Sequence, residues 1–167
     1  MNNIERRDSA PHDGYGPLNY RPMTAADLPE AHRLSQEVNW PHRLADWQFV
    51  DALGPGVVAE DKSGVVGTIM YWKHDRRFAS LGMVIVAPSH QGRGIGKTLM
   101  KLVLTELDGR TVLLYATPSG QPLYASLGFA PFGKVDQHQG IVADLPIISL
   151  APGERLRPIG ASDRMTL

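Results

Sequence analysis

The spacing of hydrophobic residues along the chain predicts an alternation of short strands and helices. Runs of β-branched and aromatic residues bounded by turn formers favour strands, whereas apolar residues three or four positions apart favour helices. The predicted strands are 19–23, 57–60, 65–72, 81–86, 111–115 and a stretch from Phe129 onward. Four helices are predicted. The first covers 24–38 and starts with a capping box at Thr24 and Asp27, and the second starts at Pro41 and ends before 54–56. The other two cover 97–107 and 118–127.

Two features of this order predict the fold class. Residues 57–60 and 65–72 flank the turn Asp61-Lys62-Ser63-Gly64, which indicates a hairpin. The run 81–86 is nearly all apolar and stops before Pro88, which favours a central strand. Because these strands alternate with helices, we expect an α/β fold with a sheet of mixed direction and helices on both faces.

Composition narrows the functional classes. The 167 residues are 43% apolar, enough for one core, and their 17 basic and 17 acidic side chains leave no charge footprint for nucleic acid or an anionic membrane. The absence of cysteine excludes disulfides, thiolate metal sites and a cysteine nucleophile, and no histidine pair has a metal-ligand spacing. No apolar run has the length of a secretory signal or a membrane span, so the cytoplasm is the expected compartment.

The segment from Val84 to Thr98, V-I-V-A-P-S-H-Q-G-R-G-I-G-K-T, leads from a strand through a three-glycine turn into a helix. Glycines let backbone N–H groups converge on phosphate oxygens, and a helix N-terminus attracts anions. Arg93, Lys97 and the Thr98 hydroxyl could supplement this anion site. A Walker-type loop requires a glycine where Gln91 stands, and a dinucleotide fingerprint requires G-x-G-x-x-G instead of G-x-G-x-G, so neither fits.

This loop resembles the acyl-CoA loop of the GNAT superfamily, V-x-V-x-P-x-x-Q/R-G-x-G-x-G/A, which residues 84–96 match. A second block at 122–129, P-L-Y-A-S-L-G-F, is similar to the L-Y-x-x-x-G-F of the same family. The resemblance extends from Asn19 to about Ile148. It implies a GNAT N-acyltransferase domain over 19–150, built on a mixed, mostly antiparallel central sheet with helices on both faces.

The resemblance also implies which residues hold acetyl-CoA, or another short acyl-CoA, as co-substrate without a metal. The strand with Val84, Ile85 and Val86 is expected to separate from its neighbour and to pair, through Val84 and Val86, with the pantetheine amides. The residues implied for the pyrophosphate are Gln91, Gly92, Arg93, Gly94, Ile95, Gly96, Lys97 and Thr98. Thr117 stands where the family often has a ligand-binding asparagine, and Tyr124 is expected to protonate the leaving CoA thiolate.

The proton acceptor for the incoming amine stays open. An alkyl ammonium of pKa about 10.4 is almost wholly protonated at pH 7, so a proton must leave before the amine attacks. Family members often carry a carboxylate on the strand before the loop, and residues 81–84 have none. The candidates near the expected acceptor cleft are Glu37, His42, His74, Asp75 and ordered water.

Three aromatic residues near the first two helices, Trp40, His42 and Trp47, could line an acceptor pocket. Aromatic residues at helical spacing are more often part of the core, so we interpret all three as scaffolding. In the strand 65–72, Gly67 indicates a bulge or a close backbone contact.

The chain ends carry a separate hypothesis. Residues 20–27 and 156–163 share Arg, Pro, Ala and Asp in register. We therefore expect 151–167 to be either a tail or the start of a second similar domain. At the other end, residues 1–18 are expected to be a flexible lead-in.

The functional prediction is an N-acetyltransferase whose acceptor is a small-molecule or peptide primary amine, without nucleic acid or membrane partners, and with a homodimer as one option. The amine attacks directly, because no cysteine is present for a covalent intermediate. Two alternatives remain. One is an inactive GNAT-like module that binds acyl-CoA, and the other is a nucleotide-hydrolysing P-loop protein, which Gln91 argues against.

Overall fold

The computed structural model describes residues 16–138, 140–141, 149–158 and 160. The chain divides into two compact units, Met1–Gly133 and Lys134–Leu167. The elements of the first unit are β1 Asn19–Pro22, α1 Leu28–Glu37, α2 Leu44–Asp51, β2 Gly56–Asp61, β3 Gly64–Lys73, β4 Phe78–Val86, α3 Ile95–Glu106, β5 Thr111–Leu113 and α4 Gln121–Ala125. In the second unit, Ala151 and Glu154 close a turn with two hydrogen bonds.

The five strands form one sheet in the order β1-β2-β3-β4-β5. The first four are antiparallel to their neighbours, and β5 runs parallel to β4. The β2–β3 turn is closed by Asp61, whose Oδ1 accepts from the Ser63 N–H and hydroxyl over 2.8 and 2.6 Å. The expected mixed, mostly antiparallel sheet and its hairpin are confirmed.

Helices cover both faces of the centre of the sheet. Every residue from Val65 to Tyr71 in β3 is buried, and because neighbouring strand residues point to opposite faces, both faces must be covered. The helices in contact with β3 are α1 and α3. A Cβ on Gly67 would lie 3.1 Å from Ile95 Cγ2 and 3.2 Å from Leu99 Cδ1, so the expected close backbone contact is the approach of α3.

An ion-pair cluster fixes the start of α1, and the expected capping residues take part in it. Asp27 Oδ2 accepts from the Thr24 N–H over 2.8 Å and from its hydroxyl over 2.9 Å, and a 3₁₀ turn, Ala25–Asp27, precedes the helix. Arg21 donates to both Asp27 oxygens over 2.8 Å and also to Glu60. The guanidinium therefore holds the pKa of buried Asp27 at about 2.

Several expected boundaries were wrong, each for a local reason. Helix α2 begins at Leu44 and not at Pro41, because Asp46 Oδ2 accepts from the Arg43 N–H over 2.7 Å and caps the helix there. Helix α3 begins at Ile95, two residues before the expected Lys97, directly after left-handed Gly94.

The remaining differences lie at β4, β5 and α4. Strand β4 starts at Phe78 instead of Leu81, because residues 78–80 pair with β5 and residues 79–80 also pair with β3. Strand β5 ends at Leu113 and not at Tyr115, and α4 is limited to Gln121–Ala125 before left-handed Gly128 ends it. No strand follows Phe129 among the described residues, and much of that expected stretch, 139 and 142–148, lies outside them.

Candidate active site

The site begins where β4 and β5 part. The two strands pair only through Phe78–Ser80 and Thr111–Leu113, while β4 continues to Val86. The gap is a cleft of about 450 Å³, with residues 81–86 on one wall and Leu114, Tyr115 and Thr117 on the other. It extends to the glycine loop and to Tyr124, so the expected separation of the loop's strand from its neighbour is present in the structure.

A β-bulge lies in the middle of this wall. The register with β3 passes from Met70↔Gly82 to Thr68↔Ile85, which leaves Met83 and Val84 opposite a single residue. Met83 has φ +53°, and its carbonyl accepts from the buried Thr68 hydroxyl over 2.8 Å. Because a bulge bends and twists its strand, β4 turns away from the line of β5 at this point.

After the bulge, alternate backbone groups of β4 face the cleft. The Ala87 N–H donates to the Val66 carbonyl of β3 over 2.8 Å, so by alternation the polar groups of Val86 and Val84 point to the opposite edge. The Val86 carbonyl accepts from Gln91 Nε2 over 3.1 Å, consistent with that direction. The Val84 and Val86 groups thus lie on an edge that no strand of the described chain occupies.

The glycine loop presents the N-terminus of α3 to the cleft. Gly92 and Gly94 have φ +76° and +77°, a conformation that L side chains rarely adopt. The first intrahelical donor is Thr98, whose N–H bonds to the Gly94 carbonyl over 3.0 Å. The N–H groups of the three residues before it, 95–97, have no intrahelical acceptor, so they remain available to an anion at the positive end of the helix.

The other loop residues differ in what they offer. Lys97 is exposed, Arg93 is half-buried, and both Gly96 and Lys97 line the cleft. A Cβ on Gly96 would lie 3.2 Å from Leu123 Cδ2, so this glycine allows α3 to approach α4. The Thr98 hydroxyl donates to the Gly94 carbonyl over 3.2 Å, which leaves its oxygen only as an acceptor and weakens its expected role with phosphate.

The sequence analysis missed a buried pair beneath this loop. His90 Nε2 lies 3.1 Å from Asp61 Oδ2, and both side chains are almost fully buried. The pair ties the residue before Gln91 to the β2–β3 turn, and the bonds from Ser63 and His90 hold the pKa of Asp61 at about 2. A histidine inside the loop motif is the only hint in the sequence, because its partner is 29 residues away.

Tyr124 closes the cleft opposite β4. Its ring packs edge-on against Phe129 at 6.1 Å, and a Cβ on Gly120 would lie 2.9 Å from its Cε2, so glycine at 120 makes room for the ring. The hydroxyl forms no hydrogen bond with another described residue, although the residue is buried and lines the cleft. Burial raises the pKa of Tyr124, so its phenol is protonated at neutral pH.

Thr117 lines the same wall and has a structural task as well. Its hydroxyl lies 3.1 Å from Ser119 Oγ and accepts from the Gly120 N–H over 3.3 Å, and its carbonyl accepts from the N–H groups of Gly120 and Gln121. Thr117 therefore caps the turn that leads into α4. Its role with the co-substrate stays a prediction.

Three of the four candidate proton acceptors have other partners. Glu37 pairs with Arg33 on α1, His74 Nε2 lies 2.8 Å from the Ser80 hydroxyl, and Asp75 accepts from the N–H groups of Arg77 and Phe78 in the β3–β4 turn. The fourth, His42, has a buried Nδ1 without a hydrogen-bond partner among the described residues. Burial lowers its pKa, and nearby His32 lowers it further against the opposing effect of Asp46.

The scaffolding interpretation is confirmed for Trp47, whereas Trp40 both packs against the core and lines the cleft. Trp47 is fully buried, with its Nε1 3.3 Å from Ser35 Oγ. Trp40, in contrast, is half-buried and lines the cleft, and His42 lies beside it with a ring-centroid distance of 5.5 Å. Spacing along a helix could not reveal this, because Trp40 lies beyond the end of α1.

The part of the chain that the structure describes can be compared with the requirements of a metal site and of a membrane span. Its residues contain no cluster of three or more His, Cys, Asp or Glu side chains that could hold a metal ion. Within the same residues, every helix is too short or too polar to cross a lipid bilayer.

Sequence comparisons show similarity to one family of transferases. Residues 53–131 match the model of the acetyltransferase (GNAT) domain. The uncharacterized N-acetyltransferase YitH of Bacillus subtilis (strain 168) is 36% identical over 63 residues, which are 37% of this chain and 22% of that protein. An uncharacterized N-acetyltransferase of Gracilaria tenuistipitata var. liui is 27% identical over 120 residues, which cover 62% of each chain. The chain thus spans less than two thirds of either relative.

A solved structure agrees with these matches. A GNAT-family protein from Xanthomonas campestris pv. campestris superposes with a TM-score of 0.60 at 27% identity, over 74% of this chain and 95% of that one. The family match at 53–131 includes strands β2 to β5, the glycine loop and Tyr124. Over residues 53–131 this chain is therefore similar to the acetyltransferase (GNAT) domain, and its fold matches that of a GNAT-family structure.

Proposed function

We propose that this protein transfers an acetyl or other short acyl group from acyl-CoA to a primary amine, with Tyr124 as the general acid for the departing thiolate. One observation carries the proposal: a single cleft runs from the anion site at the glycine loop, along the unpaired edge of β4, to the Tyr124 side chain.

The glycine loop suits the CoA pyrophosphate. The donors there are backbone N–H groups of the first turn of α3, a 12-residue helix, with the Lys97 ammonium beside them. These groups bind a diphosphate by charge and hydrogen bonding without a metal ion. Gln91 holds the loop against β4 through the Val86 carbonyl.

The edge of β4 suits the amide-bearing arm of the co-substrate. The backbone groups of Val84 and Val86 have no strand beside them, and an extended ligand that carries two amides can bond to them as an added strand would. Such pairing orients the thioester along β4, toward the bulge at Met83.

The chemistry needs little from the protein on the leaving-group side. The amine nitrogen attacks the thioester carbonyl carbon, a C–N bond forms, the C–S bond breaks, and the thiolate takes a proton from the Tyr124 hydroxyl. The ammonium first loses one proton to water or to a nearby base, and the second N–H proton, which leaves after the attack, returns through solvent to the Tyr124 phenolate. A thiol pKa near 8.5 makes the thiolate a fair leaving group already, so a phenol of raised pKa assists without being indispensable.

The Tyr124→Phe variant tests this role. We expect kcat to fall about 10- to 100-fold, because the proton donor is lost while the departing thiolate still leaves unaided. The KM for acetyl-CoA should stay within about twofold, since phenylalanine fills the same space beside Phe129. Release of free thiol from acetyl-CoA, measured over a panel of primary amines, gives both constants.

A matched control is Tyr115→Phe, which removes a phenol from an exposed side chain at the mouth of the same cleft. We expect wild-type kcat from it. A wild-type rate for Tyr124→Phe would reject the assignment of the general acid. Binding of CoA in calorimetry without turnover of any amine would favour the inactive binding module, and binding of ATP that depends on magnesium would favour a P-loop activity.

A further inference from the structure

The part of the cleft outside the glycine loop indicates the kind of amine that the protein accepts, provided that the proposed acyl transfer is correct. Besides the loop and β4, the cleft is lined by Val38 and Trp40, which follow α1. Because the glycine loop is assigned to the pyrophosphate, we expect the acceptor amine to contact these other walls.

Trp40 is set in this wall by the way α1 ends. The Trp40 N–H donates to the Ser35 carbonyl over 2.8 Å, and the Asn39 N–H donates to the Gln36 carbonyl over 3.0 Å. With Asn39 at φ +57°, this is a Schellman motif, in which a left-handed residue reverses the chain at a helix C-terminus. The motif fixes where the residue after Asn39 leaves the helix.

The segment after Trp40 is also bound back onto α1. Gln36 Nε2 donates to the His42 carbonyl over 2.8 Å and to the Trp40 carbonyl over 3.3 Å, and His32 Nε2 lies 3.1 Å from the His42 carbonyl. The His42 ring packs beside the indole. Trp40 is therefore a preorganised aromatic surface, which loses little conformational entropy when a ligand packs on it.

The charges of the cleft also favour an acceptor with an apolar substituent. Away from the loop, the lining residues on β4 and after α1 include Val38, Trp40, Leu81 and Met83, all of them apolar. None of the described lining residues is Asp or Glu, and the basic ones, His90 and Lys97, lie at the loop end. A polycationic amine would lose hydration here without a counter-charge, whereas an apolar substituent would bury its surface against the indole.

We propose that Trp40 forms the acceptor side of the cleft and that the acceptor is a primary amine with an aromatic or branched apolar substituent, not a polyamine. The amine lies against the indole with its nitrogen directed along β4 to the thioester. Asn39 acts as a positioning residue, because its left-handed conformation sets the location of Trp40.

The test compares 2-phenylethylamine with spermidine as acceptors for acetyl-CoA in the full chain. The kcat/KM for 2-phenylethylamine should exceed that for spermidine by at least about tenfold. Trp40→Ala should lower the 2-phenylethylamine value by about 10- to 100-fold through KM, and Trp40→Phe should retain most of it. The KM for acetyl-CoA should stay within about twofold in both variants. Asn39→Gly, which tolerates the same φ, should behave as wild type, while Asn39→Val should raise the KM for the amine.

Calorimetric binding of the two amines to the CoA-saturated protein gives a readout that is independent of turnover. Binding of 2-phenylethylamine that Trp40→Ala abolishes would support the acceptor site even if no acetyl group were transferred, a result that would reject only the proposed transfer. Three results would overturn the inference. They are tighter binding of spermidine than of 2-phenylethylamine, an equal loss of affinity for both amines in Trp40→Ala, and no binding of either amine.

Discussion

Strand β4 has two parts with different surroundings. Residues 79–80 have a strand on each edge, whereas residues 81–86 have β3 on one edge and the cleft on the other. In the first part the backbone groups stabilise the sheet, and in the second part the groups that face away from β3 remain for a ligand. One strand can therefore hold the fold together and provide a binding edge, because the neighbouring strand stops after three residues.

The fully packed region of the molecule should show the largest effect on stability. Trp47→Ala removes a fully buried indole together with the N–H that donates to Ser35 Oγ, so we expect the free energy of unfolding to fall by about 3–5 kcal/mol. Urea denaturation measures the change. Phe49→Ala, on the same helix but 66% exposed, should stay within about 0.5 kcal/mol. A similar loss for both variants would show that α2 does not pack as described.

The link between the packed sheet and the glycine loop is tested by His90→Ala. The variant leaves buried Asp61 without a partner at Oδ2, which should cost about 1–3 kcal/mol of unfolding free energy and should weaken CoA binding. Calorimetry with CoA and urea denaturation give the two values. His74→Ala removes an exposed histidine that bonds to Ser80, and we expect CoA affinity to be unchanged in it. Unaltered CoA affinity in His90→Ala would separate the buried pair from the function of the loop.

A comparison of two left-handed glycines distinguishes the effect of backbone strain from an effect on ligand binding. Gly94 and Gly109 have φ +77° and +76°, and a Cβ added at either would meet no atom within 4 Å, so alanine at each should cost about 1–2 kcal/mol of stability. Only Gly94→Ala should also raise the Kd for CoA, because Gly109 lies beyond the other end of α3. Equal CoA affinity in the two variants would contradict the anion site.

The smallest effect concerns how the Arg21–Asp27 ion pair makes the free energy of unfolding depend on pH. Because the folded pKa of Asp27 is about 2 and its ordinary value is 3.8, the Arg21 pair stabilises the fold above about pH 4 and is lost as the pH falls toward 2. Asp27→Asn should lack this component, which we expect to be about 1 kcal/mol after solvent screening. Urea denaturation between about pH 5 and 2 measures it, with Asp108→Asn, an exposed carboxylate, expected to follow the wild type.

Most of the fold could be predicted because its signals are local. The hairpin around Asp61–Gly64 follows from β-branched runs on both sides of a turn, and the cap at Thr24 and Asp27 follows from neighbouring residues. Element ends were predicted less well where tertiary pairing sets them. Residues 114–115 have strand-like composition but no strand beside them, so β5 ends at Leu113.

The residues of the candidate site also differ in how well the sequence predicts them. The glycine loop and the Tyr124 block are contiguous motifs, and a sequence shows such motifs directly. The pair His90–Asp61 and the position of Trp40 depend on residues that only the fold brings together, across the β2–β3 turn and beyond the end of α1. Periodicity along a single helix carries no information about either.

The shortness of β5 also bears on how a long substrate enters. Its three paired residues are the fewest of any strand pair in the described sheet, and the chain then runs from Leu114 to Thr117 without a strand partner before it reaches α4. Local separation is least costly where the fewest backbone hydrogen bonds must break. The wall that carries Tyr124 thus follows the shortest strand pair of the described sheet, and we expect the chain-like co-substrate of the proposed reaction to enter the cleft from the side and not from one end.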